Sequence, residues 1–133
     1  MNNTVNLAAP GAGLPLLEKL IGKYYYVRYR PGGESWEETQ TRFQREGEKI
    51  IALVEGCTED QLAEKRLIDR LWGMEDNSRH WSIAMTVEHL IIVGSGTSKS
   101  MVLLGQGVVP AVIPKIENVK PRGTLEPKQV VAE

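Results

Sequence analysis

Apolar residues recur at helical spacing in three stretches of the chain. Leu16, Leu17, Leu20, Ile21 and Tyr24 form the first stripe, inside the mixed segment 14–29, and predict a short amphipathic helix. Its end is ambiguous, because Tyr25, Tyr26, Val27 and Tyr29 favour a strand. Pro31-Gly32-Gly33 stops whatever precedes it. Trp36, Phe43, Ile50, Ile51 and Val54 form the second stripe. Ser35 is a suitable N-cap, and Glu37 and Glu38 follow at the favourable end of the helix dipole. Glu38 and Arg42 form an i,i+4 pair of the better orientation, and Gly56 closes the pattern. These signals predict a helix over 35–55, with Gly47 as its weak point. Thr58-Glu59-Asp60-Gln61 has the form of a capping box and predicts a short helix reaching Glu64.

A loop is expected through Gly73 and Asp76-Asn77-Ser78. The third stripe starts near His80–Ser82 and runs through Ile83, Val87, Leu90, Ile91 and Gly94 to Met101 and Leu104. Gly94-Ser95-Gly96-Thr97-Ser98 has poor helix propensity and allows two readings, a loop between helices or the middle of one long helix. The long helix is favoured, because the apolar phase continues through it. Beyond Gly105, Pro110, Pro114, Pro121 and Pro127, with Gly107 and Gly123, forbid another long helix. Val108, Val109, Val112, Ile113 and Ile116 then suggest an extended, partly buried loop, and residues 126–133 read as the start of a further helix.

The organisation expected is an N-terminal arm and short helix over 1–33, then a helical domain over 34–133. Residues 1–13, with Pro10, Gly11 and Gly13, read as a mobile arm. Two long helices cover only part of each other's apolar stripes. The first short helix supplies some cover, and a homodimer is the expected source of the rest. The helix that opens at Pro127 and is cut short is expected to mark a fragment whose C-terminal helices are missing.

Composition narrows the functional classes. Lys plus Arg is 16 and Asp plus Glu is 17 in 133 residues, a net charge of -1, which argues against a nucleic-acid backbone binder. The one cysteine, Cys57, excludes an internal disulfide framework and any Cys-based zinc site. Residues 1–7 carry no Lys or Arg, so the basic start of a secretory signal is lacking. No window reaches the roughly 18 to 20 apolar residues of a membrane span. A cytoplasmic protein without nucleic-acid or membrane partners is expected.

His80 and His89 are the two histidines. On one helix, nine residues apart, they would face about 180° away from each other and could not chelate one ion. The residues one turn from His89 offer no further ligand. From the residues alone, His89 reads more readily as a packed core histidine than as a ligand. Trp81 reads as packing at the helix start rather than touching a ligand, and Trp36 and Trp72 as core or core-edge residues. Cys57 follows a helix C-terminus, where the dipole disfavours a nucleophilic thiolate. Tyr24, Tyr25, Tyr26 and Tyr29 interleave with Lys23, Arg28 and Arg30, but tyrosines covering a bundle explain them better than base stacking. The Gly-x-Gly pairs follow no strand, and the hydroxyls of 95–100 have no base in reach, so neither phosphate binding nor a serine nucleophile is supported. No catalytic residue is assigned.

His80-Trp81-Ser82-Ile83 leading to Glu88-His89-Leu90 resembles the Trp-Ser-…-His-Leu signature of the DinB/YfiT-like superfamily. The stretch Thr58-Glu59-Asp60-Gln61-Leu62 is similar to that family's link between its first two long helices, and Lys120-Pro121 to the connection toward the third. The resemblance covers 35–133. It implies an all-α, up-down four-helix bundle, complete or completed by dimerisation. It also implies a divalent metal, zinc or nickel, on three histidines, of which only His89 has a counterpart here. Met85 departs from the family, where a Glu would complete a capping box with Ser82. Some relatives are transferases that use small-molecule thiols, so a thiol substrate is implied for an intact site. With one ligand of three, an incomplete or inactive member is expected. A metal-free, self-associating helical module is the alternative.

Overall fold

The computed structural model describes residues 6–25, 33–111, 115–126 and 129. Among them the protein is mostly helical, with one two-stranded sheet. The elements in chain order are α1 (Leu16–Tyr24), α2 (Trp36–Glu55), α3 (Glu59–Ala63), β1 (Arg66–Leu67), β2 (His80–Trp81) and α4 (Ile83–Gly105). Two 3₁₀ turns, Asp76–Arg79 and Ile116–Val119, complete the regular structure. None of the described helices is long and apolar enough to cross a membrane. The chain divides into two compact units, Met1–Cys57 with Leu67–Arg79, and Thr58–Arg66 with His80–Glu133. β1 and β2 are hydrogen-bonded neighbours in this sheet.

Local signals set the helix starts. Ser35 accepts the Glu38 N–H, and the Glu38 carboxylate accepts the Ser35 N–H at 2.7 Å, so α2 opens on a reciprocal capping box. That use of Glu38 corrects the expected pair with Arg42, which instead meets Glu34 at 2.8 Å. Gly56 caps the helix in right-handed geometry, φ -76. Thr58 and Gln61 form the second box and open α3 as expected. The long-helix reading of residues 83–105 holds, since α4 runs unbroken through Gly94 and Gly96.

In the first unit, α1 is anchored by its one buried residue, Glu18, rather than by its apolar stripe. The Glu18 carboxylate pairs with the Arg70 guanidinium and accepts the Gly73 N–H at 3.0 Å. Arg70 also donates to the Met74 carbonyl at 2.9 Å. Leu16, Leu17 and Leu20 remain exposed. The described part of the arm is tied down, contrary to the expected mobile arm. Ala8 N–H donates to Asp76 at 2.8 Å, and Gly13 N–H to Glu75 at 3.0 Å. Asp76 and Glu75 thus capture backbone donors of the arm that no helix or strand engages. Of the α2 stripe only Val54 is buried; Phe43 is exposed, and Trp36 and Trp72 are exposed against their expected place in the core or at its edge. The strand preference of Tyr26, Val27 and Tyr29 falls outside the described residues.

In the second unit, α3 and the turn Ile116–Val119 each pack on α4. Leu62 and Ala84 are its buried apolar residues, and Ser82 and Glu88 its buried polar ones. The segment after α4 is less buried than expected, with Val108, Val109 and Ile116 exposed. Most of the expected helix at 126–133 lies outside the described residues.

Candidate functional site

The start of α4 is where the second unit concentrates its chemistry. His80 and Trp81 belong to β2, not to the helix, so the two histidines never share a helix and the opposed-face argument does not apply. Ser82 is the N-cap and accepts the Met85 N–H at 3.2 Å. Its own main chain is extended, φ -83 and ψ 169. The bend this makes lets Trp81 lean back along the first two turns. Its ring lies 5.2 Å from the His89 ring at a tilt of 57°. The ammonium of Lys120 sits 5.4 Å from the Trp81 centroid on the same cluster, a cation–π distance.

The segment 115–124 forms a strap beside this helix end. His89 Nδ1 lies 2.6 Å from the Val119 carbonyl oxygen. A carbonyl only accepts, so Nδ1 is the donor in this bond. One residue earlier, Glu88 is buried and accepts the Gly123 N–H at 2.8 Å and the Thr124 hydroxyl at 2.9 Å. Burial pushes this carboxyl up. The Gly123 N–H, the Thr124 hydroxyl and the N–H groups of Arg122 and Thr124 outweigh that and hold it below the usual Glu range. Gly123 has φ 69, a left-handed conformation that turns the chain back toward Glu88.

His89 is thus a half-buried ring whose Nδ1 is engaged by the strap. Its neighbours were not legible beforehand. Glu88, adjacent to His89 in sequence, grips the strap. Val119 and Thr124 carry no sequence signal, while Lys120-Pro121 and Gly123 mark only a connection and a turn. Cys57 lies just past α2, its thiol donating to the Leu53 carbonyl at 3.3 Å. Among the described residues no three His, Cys, Asp or Glu side chains gather to hold a metal ion.

Compared with known proteins, the chain matches no family model, no curated protein and no solved structure.

Proposed function

We propose that the chain is a DinB-type helical protein that presents His89 as one ligand of a divalent-metal site, zinc or nickel, left incomplete by its own described residues. The observation that carries this reading is the bond from His89 Nδ1 to the Val119 carbonyl. Metal-ligating histidines commonly donate one ring N–H to a carbonyl, which orients the ring and keeps the other nitrogen a free base. The remaining donors belong to a second copy or to residues outside those described. Three protein ligands are the usual minimum for a catalytic zinc site, so no transfer step is derived from one imidazole. The thiol-dependent transferases of the superfamily define the activity class to assay.

The test is metal content per chain, on protein purified without a tag or chelator, together with mass by light scattering. About one metal per chain, lost in His89→Ala, supports the reading. A metal-free chain whose fold is unchanged by His89→Ala ends it.

A second reading, a metal-free helical module that associates with itself, is favoured by the exposed apolar surface of α4. Leu90, Val93, Met101, Val102 and Leu104 are all solvent-facing, and α4 carries few charges to solvate it. Metal-free dimers of ordinary stability support that alternative.

A further inference from the structure

We propose that Glu88 is the positioning residue for His89, acting through the strap: by holding Gly123 and Thr124, it places the Val119 carbonyl where it fixes the proton of His89 on Nδ1. The inference deepens the metal-ligand reading and rests on it for its purpose, but its readout needs no metal.

Consecutive residues of α4 hold the two ends of one short segment. Glu88 takes 123 and 124, and His89 takes 119. The turn Ile116–Val119 packs on the same helix, and Lys120 over Trp81 supports the middle. A backbone carbonyl in a loop has no position of its own; it points where its flanks are fixed. One flank of Val119 is the packed 3₁₀ turn. The other is fixed through the buried carboxylate. A carboxylate accepts without donating, so it suits a strap that offers an N–H and a hydroxyl. The free neutral histidine ring prefers its proton on Nε2, so a ring protonated on Nδ1 reports a partner held against it. Without the strap the ring would present an N–H, not a lone pair, at the edge a ligand must use.

The experiment is nuclear magnetic resonance of the His89 ring nitrogens, with the ring neutral, in the metal-free full chain. Wild type is expected to show Nδ1 at the protonated position and Nε2 at the unprotonated one. In Glu88→Ala the two resonances are expected to move toward each other or exchange places. Thr124→Val, which leaves α4 untouched, is expected to shift them in the same direction by less. Glu88→Gln is expected to stay close to wild type, since its amide can accept from Gly123 and donate to the Thr124 hydroxyl oxygen. Circular dichroism follows the fold in each variant, and Thr124→Val decides the matter if Glu88→Ala does not fold. Unchanged nitrogens in both Glu88→Ala and Thr124→Val overturn the proposal, as does a wild-type ring protonated on Nε2. Nickel titration of wild type is read separately. No uptake with a tautomer shift present ends the metal reading and leaves the positioning role standing, whereas uptake without a shift does the reverse.

Discussion

Glu18 and Arg70, 52 residues apart in sequence, close an ion pair that holds α1 against the loop ahead of the Asp76–Arg79 turn. The Gly73 N–H adds a third bond to the same carboxylate. An amphipathic helix here is secured by its charged residue while its leucines face out. Removing one partner leaves the other charge half-dry. Glu18→Ala is expected to cost about 2 kcal/mol, below the figure for a fully buried pair because Arg70 stays 27% exposed. Urea denaturation measures it. The double variant Glu18→Met with Arg70→Met is expected to cost less than the two single changes added together.

Acid is expected to release the N-terminal arm. The Ala8 N–H and then the Arg79 guanidinium hold the Asp76 carboxyl below its usual range. A depressed carboxyl contributes its stabilisation in full above the ordinary value of about 3.9 and loses it as pH falls through the lower folded value. The Ala8 amide resonance, followed through an acid titration, should move with that lower midpoint. In Asp76→Asn the same resonance should already sit near its released position at neutral pH and show no such step.

The helix caps should each register separately. Ser82→Ala removes the acceptor for the Met85 N–H from a buried position and is expected to cost about 1 kcal/mol. Ser35→Ala and Glu38→Ala break one reciprocal box from opposite sides. Their costs should be less than additive in a double-mutant cycle, because each change already strands the other's partner.

Gly94 and Gly96 lie in mid-helix, and a methyl group at either position would meet no heavy atom within 4 Å. Alanine at each is expected to stabilise the chain by up to about 1 kcal/mol, through lower backbone entropy in the unfolded state. A thermal melt at several concentrations checks it. Destabilisation that grows with protein concentration and fades on dilution would instead place a second copy's helix against those glycines.

What the sequence disclosed about this fold was local. Ser35, Thr58 and Ser82 announce helix starts because a cap bonds within three residues. The unbroken phase from Ile83 to Leu104 outweighed two glycines. Two-residue strands such as His80–Trp81 lie below the length at which alternation can be seen. Trp36 and Trp72 stay exposed although their size favours the core, because size says what a residue gains by burial, not whether a neighbour arrives to bury it. His89 was singled out by its motif, but its surroundings were hidden. A carboxylate that binds backbone N–H groups 35 residues away leaves no mark on the residues that supply them.

The strap is held at Val119 and again at Gly123, by side chains from adjacent positions of one rigid helix. Neither anchor can slide, so the run of three residues between them has a fixed span. Lengthening or shortening 120–122 by a single residue would force one anchor to let go. Substitutions there can be absorbed; insertions and deletions cannot.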